Sequence, residues 1–516
     1  MGTRTILVIR PPADEGRNVD SSTNQCLAGS APSSTGRFRT SHPADRPDRS
    51  ETLALMFICQ NGGVTDLDIA PRTDPGHTPW YLQGNFAPVF DEVTDVNLRV
   101  TGSIPPSLSG RYLRTGSNPP SGMSSHWFAG DGMVHGVRLD AGNAVWYRNR
   151  YVQTTKFLRG LDATDPEVFA DPTAASGNTS VLAHAGRIWA LEELHLPYEL
   201  SPDLDTIGCD DFGGKLTTAF TAHPKLCPET GELHFFGYSP LPPFLTYHVL
   251  DASGALVHST EITVPKGTMM HDFMITRDHA IFMDLPIVFD LSNLESPIGW
   301  DDTYGARIGI MPRMGTNADI RWFEIDPCYV FHPLNAYVDG NVVVCDVGRH
   351  ATMSMEPEVY TPPAFLHRWT FDLASGAVSE ERIDERTHAF SRVDDRVVGL
   401  PHRYGWGVTH RDGSETTLRE PGVVVRWDVV TGTQATYDLG PDAFPSEFVF
   451  VQDDDAAGED EGWAIGFVYN ASADSSDLVI LDASAPGSDP VARIHLPQRV
   501  PFGFHGSWVD DSALPA

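Results

Sequence analysis

Lysine is almost missing from this chain: Lys156, Lys215, Lys225 and Lys266 are the only four among its 36 basic residues. Arginine supplies the rest, so a lysine in an apolar setting marks a place where a compact, titratable ammonium is wanted. Basic charge as a whole is also scarce, with 36 residues against 69 acidic ones and a net charge of −33. That balance excludes a broad nucleic-acid surface and limits any membrane contact to a peripheral one, leaving apolar or neutral small molecules as the expected partners. No apolar run approaches the roughly 18–20 residues that span a bilayer, and the Thr5–Ile9 run is too short for a signal-peptide core. A cytoplasmic protein is the expectation. The six cysteines (Cys26, Cys59, Cys209, Cys227, Cys328, Cys345) lack CxxC spacing, which excludes a zinc knuckle and a disulfide framework.

What the chain has instead is punctuation. Its 46 glycines, 40 prolines and 20% charged residues suit many short strands joined by tight turns. Residues 1–79, rich in Ser, Thr, Pro, Arg, Asp and Gly, read as a disordered leader within which Met56 is an alternative start. From Trp80 the texture changes. Alternating segments flank turns with Asp or Asn and Gly, as in Val134–Leu139 and Ala144–Val152 around Asp140-Ala141-Gly142-Asn143. The pattern returns around His184-Ala185-Gly186, Asp251–Gly254, Asp372–Gly376 and Asp428–Gly432. Hairpins at these intervals, without strict repetition, predict an all-β chain whose residues 80–516 form a single β-propeller domain, with a pair of β-sandwiches as the runner-up.

Thr268-Met269-Met270-His271-Asp272-Phe273-Met274-Ile275-Thr276 places one imidazole among apolar side chains in what reads as a buried strand. A buried polar group left unmatched costs roughly 1–3 kcal/mol, so each nitrogen of His271 needs a partner. Three more histidines share this local grammar: Ala222-His223-Pro224, Phe331-His332-Pro333 and Phe504-His505-Gly506. Taken singly, each suits a satisfied core residue. Together, they suit ligands of a first-row metal contributed by separate blades, since imidazole without cysteine or clustered carboxylate favours Fe, Zn, Cu or Ni.

At these residues the chain resembles the carotenoid cleavage oxygenase family. The resemblance runs from Gly84 to Val509 and rests on Gly84-Asn85-Phe86-Ala87-Pro88-Val89, Arg114-Thr115-Gly116-Ser117-Asn118-Pro119, His126-Trp127-Phe128-Ala129-Gly130-Asp131-Gly132-Met133, Ala222-His223-Pro224-Lys225, Met270-His271-Asp272-Phe273 and Pro501-Phe502-Gly503-Phe504-His505-Gly506. It implies a seven-bladed β-propeller with loops and short helices capping one face. It also implies an Fe(2+) ion on four ligands matching His223, His271, His332 and His505. The ligands' outer N–H groups would be held by carboxylates, two of them matching Glu193 and Glu447, while Ala389 stands where the third is expected. Thr179 matches the residue whose methyl group shields one open metal position.

The implied reaction uses O2 to break one C=C bond into two carbonyl products, with no protein nucleophile. Substrates in the family are carotenoids and apocarotenoids or stilbene-type phenolic alkenes. Lys156 matches a lysine that binds a substrate phenol, whereas the tyrosine expected just before His126 is Ser125; a snorkelling surface lysine is the plain alternative. Trp127, Phe128, Tyr198, Phe331, Phe502 and Phe504 are candidates to line an apolar tunnel. Two other functions remain open at this point: a redox-neutral isomerase on the same scaffold, and a non-catalytic propeller that binds a partner.

Overall fold

Strands dominate because short apolar alternations are separated by residues that turn the chain cheaply. Gly132–Asp140 and Asn143–Tyr151 pair through the two-residue loop Ala141-Gly142, both at positive φ (45° and 81°), the twist that matches a right-handed hairpin. The computed structural model describes residues 78–515, apart from 294–295, 357–361, 413–418 and 454–457. Of the expected leader, all but its last two residues lie outside the described part, Met56 included.

Among the described residues the fold is all-β with few helices. Its α-helices are the five-residue Thr155–Arg159 and Pro166–Ala170, and no helix is long and apolar enough to cross a membrane. Antiparallel units follow one another along the chain. Ser180–His184, Arg187–Leu191, Tyr198–Leu200 and Thr206–Cys209 form one; Lys225–Leu226, Leu233–Tyr238, Leu245–Leu250 and Leu256–Glu261 form the next. Met274–Ile275, His279–Asp284, Ala306–Pro312 and Arg321–Ile325 follow. The strand Val378–Arg392 then joins two units into one seven-stranded sheet. It pairs with Ala364–Asp372 as far as His388, and with Tyr404–His410 from Ala389 onward. The last strand, Gly506–Asp510, returns to pair with Gly110–Ser117 near the start of the folded chain.

One cavity is lined by the first strand of several successive units and by the closing strand: Ser180–His184, Lys225–Leu226, Met274–Ile275, Tyr329–Asp339 and Gly506–Asp510, with Glu447 beside them. Aromatic packing fixes the walls. Phe273 is fully buried, edge-on to Phe236 at 5.2 Å and stacked on Phe282 at 6.2 Å.

Candidate metal centre

His223 precedes Lys225–Leu226, His271 precedes Met274–Ile275, His505 directly precedes Gly506–Asp510, and His332 lies within Tyr329–Asp339 at a bulge between Val330 and Pro333. Each strand is the edge of a different sheet. The expectation that His271 lies inside a strand is corrected. Asp272 Oδ1 takes the Phe273 N–H at 2.6 Å, a local bond that competes with the ladder, and regular pairing starts only at Met274. The His271 loop is pinned instead by Met269 N–H to the Ile287 carbonyl (2.8 Å) and by the Tyr329 hydroxyl to the Met269 carbonyl (3.0 Å).

The four side chains converge. Nε2 of His223 and His271 are 2.9 Å apart, those of His271 and His332 3.3 Å, and those of His332 and His505 3.1 Å. All four ligand atoms lie within 4.8 Å of one another. The far nitrogens explain the orientation. His271 Nδ1–H donates to Glu193, whose second oxygen accepts from the Tyr238 hydroxyl; His505 Nδ1–H donates to Glu447 Oε1 at 2.9 Å. With those protons on Nδ1, the Nε2 lone pairs face one another, an arrangement that repels unless a cation sits between them. Burial, then the neighbouring imidazoles, hold His223 and His332 well below the usual histidine range, which favours the neutral ring. The Glu447 carboxyl is pushed up by burial, but His505 and Arg392 outweigh that and leave it below its ordinary value. Its Oε2 accepts from the Gly506 N–H (2.8 Å) and from Arg392 Nη1 (3.4 Å).

Among the described residues no carboxylate pairs with His332. Ala389 occupies the expected place, and the next residue, Phe390, stacks on His332 (5.5 Å, 22°) and lies across His505 (5.4 Å, 68°). Phe390 does this at φ +56°, a conformation that costs a non-glycine residue about 1–3 kcal/mol. The carbonyl of Thr179 accepts from the His505 backbone N–H at 3.0 Å, which joins the two main chains at that point.

A family profile described as Retinal pigment epithelial membrane protein matches residues 86–510. The chain belongs to the carotenoid cleavage oxygenase family. It is 39% identical to a carotenoid cleavage oxygenase of Mycobacterium tuberculosis, over 83% of this chain and 97% of that one. It is 32% identical to lignostilbene-alpha,beta-dioxygenase isozyme III of Sphingomonas paucimobilis, over 84% and 98%. The crystal structure of Pseudomonas brassicacearum lignostilbene dioxygenase superposes with a TM-score of 0.77 at 28% identity, covering 84% of this chain and 98% of that one. The protein is accordingly a carotenoid oxygenase-type, alkene-cleaving dioxygenase.

In this carotenoid oxygenase, Lys156 is no surface lysine. It is 2% exposed on the Thr155–Arg159 helix, and its Nζ donates to Asp131 Oδ1 at 2.7 Å. Burial raises the Asp131 carboxyl and Lys156 pulls it partly back. Asn178 ties this pair to the centre. Its Nδ2 donates to the carbonyls of Phe128 (2.8 Å) and Gly130 (2.7 Å), one residue ahead of Thr179. Ser125 has no phenol, but the Tyr81 hydroxyl donates to the Ser125 carbonyl at 3.2 Å, bringing one from a distant segment.

Of the candidate tunnel aromatics, Trp127 and Phe128 pack on Phe504 (4.8 and 5.6 Å), Phe502 meets Phe390 at 6.2 Å, and Phe331 stands edge-on to His271 at 5.1 Å. Tyr198 is placed elsewhere. Its hydroxyl donates to the Thr173 carbonyl (2.7 Å) and accepts from the Thr155 N–H (2.9 Å), steadying the helix that carries Lys156. Sequence reasoning passed over Tyr238, Arg392 and the pair Asp272–Lys225; only the last left a signal, one of the four lysines, two residues past His223.

Proposed function

We propose that this dioxygenase is Fe(II)-dependent, with the iron held by His223, His271, His332 and His505 on the axis of a seven-bladed β-propeller. The carrying observation is the convergence of the four Nε2 atoms with carboxylates behind two of the rings. The return of Gly506–Asp510 to Gly110–Ser117, and the one cavity shared by the first strands of successive units, support ring closure. The donor set fits iron. Zinc also accepts imidazole, but it has no redox chemistry to offer O2. Iron held by His223, His271, His332 and His505 would supply the centre at which O2 is activated.

Fe(II) bound there supplies the electrons that let O2 react with an electron-rich C=C bond. In the balanced reaction that bond breaks, each carbon takes one oxygen atom from O2, and two carbonyl compounds leave with no external reductant. The protein's own work is positional. Glu193 and Glu447 fix the rings of His271 and His505, Thr179 would shield the metal from one side as its counterpart in the family does, and Phe390, Phe502 and Phe504 would give the alkene a dry, apolar surface.

The substrate is an apolar alkene, a carotenoid or apocarotenoid or a stilbene-type phenol, and the buried Lys156 favours the phenol. Lys156 is 2% exposed with its Nζ on Asp131, and such an ammonium would bind a substrate hydroxyl as the family's lysine does, with Tyr81 as a second polar group near Ser125. The test is to incubate iron-loaded enzyme under labelled O2 with a resveratrol-like stilbene and with an apocarotenal in parallel. Two aldehydes from the stilbene, one labelled oxygen in each, are expected. Cleavage of the apocarotenal alone would reverse the substrate assignment, and unlabelled geometric isomers as the sole products would point to an isomerase.

A further inference from the structure

Among the described residues no carboxylate stands within hydrogen-bond distance of His223 as Glu193 and Glu447 do for His271 and His505, yet an acid lies beside it. Asp272 is 2% exposed. Its Oδ1 accepts from Lys225 Nζ at 2.7 Å and from the Phe273 N–H at 2.6 Å, which leaves Oδ2 turned toward His223 Nδ1 at 3.7 Å. The two braces interlock in sequence: Lys225 follows His223 by two residues, and Asp272 follows His271 by one. Each ligand loop therefore supplies one half of an ion pair that ties the loops together.

Resting on the four-histidine reading, we propose that Asp272 is the third outer carboxylate of the centre, a positioning residue that holds the His223 imidazole through its Nδ1–H while Lys225 balances its charge. Ala389 then removes support from His332 but not from the centre as a whole. Three carboxylates still face the four rings, from Glu193, Glu447 and Asp272, and the ring without one is pinned by the Phe390 stack. At 3.7 Å the contact is longer than a hydrogen bond. A shift of under 1 Å in the imidazole closes it, and the Coulombic term acts at the present distance.

The experiment uses the full chain loaded with Fe(II), comparing wild type with Asp272→Asn, Asp272→Glu and Lys225→Met. Two quantities are read: the rate of iron release to a chelator and the Fe(III)/Fe(II) potential. Asp272→Asn is expected to release iron about 10- to 100-fold faster, as for other losses of a ligand's outer partner, and to raise the potential. Asp272→Glu should restore the potential toward wild type, which a purely structural role would not do. Lys225→Met, at a partly exposed position, reads the same brace from its other half, and should also speed iron release; it decides the matter should Asp272→Asn fail to fold. Wild-type release rate and potential in the folded variants would overturn the assignment of Asp272 alone. A wild-type chain that takes up no iron would overturn the four-histidine reading and this one with it.

Discussion

Glu447 Oε1 lies 2.9 Å from His505 Nδ1, and its other oxygen accepts the N–H of Gly506, the residue that follows that histidine. One carboxylate thus holds both the ring of a converging histidine and the backbone beside it, and His505, then Arg392, outweigh burial to keep its pKa low. Glu447→Gln preserves shape but removes the charge and the second acceptor. Iron retention measured against a chelator should weaken about 10- to 100-fold, with little change in thermal unfolding of the iron-free protein. Unchanged retention would remove Glu447 from the centre.

Lys156 and Asp131 form a buried pair, so removing the lysine alone would strand a charge at a cost of about 3–5 kcal/mol. The informative variant is Lys156→Met with Asp131→Asn. Stilbene kcat/KM should fall about 10- to 100-fold, the worth of one charge-assisted hydrogen bond, while turnover of an alkene without a phenol stays within about twofold. Equal losses on both substrates would show that the pair is only structural.

The hairpins were legible because Asp, Asn and Gly recur between alternating segments, and the four histidines because each sits beside apolar or small residues and a turn-former. The outer support was legible only through resemblance, and Ala389 broke it. The Asp272–Lys225 brace joins two loops that meet only when the chain is folded, so its one local trace is a rare lysine two residues past His223. Tyr198 shows the same limit. An aromatic's partner is set by tertiary packing, and the side chain that seemed fit for a tunnel wall instead ties down the Lys156 helix.

Phe273 carries the rigidity of the His271 loop. Fully buried between Phe236 and Phe282, its truncation in Phe273→Ala should cost about 3–5 kcal/mol, read as a lower denaturation midpoint at unchanged slope. A loss under about 1 kcal/mol would mean that the loop is held by its backbone bonds instead.

His195 gives the fold a pH signature. Its Nδ1 faces the Glu192 carboxylate and its Nε2 the Val168 carbonyl at 2.8 Å, two acceptors that call for a doubly protonated ring. Burial lowers its pKa, but Glu192, the Val168 carbonyl and Asp171 outweigh burial and leave it raised, while Glu192 ends lowered. The pair's contribution is therefore whole between the ordinary values of about 4.3 for Glu and about 6.5 for His. It fades as pH rises through the raised His195 pKa, and again as pH falls through the lowered Glu192 pKa. Urea unfolding of wild type against His195→Gln should show the largest stability gap near pH 5–6 and a shrinking one toward pH 9. A gap that does not vary with pH would contradict the imidazolium assignment.

The most direct measurement is the iron content of His271→Ala beside wild type, with the β-sheet circular dichroism of both recorded. Wild type should hold one iron per chain, and the variant should keep its fold while losing the metal. Full iron stoichiometry in a folded His271→Ala protein would contradict the four-histidine centre on which the account rests.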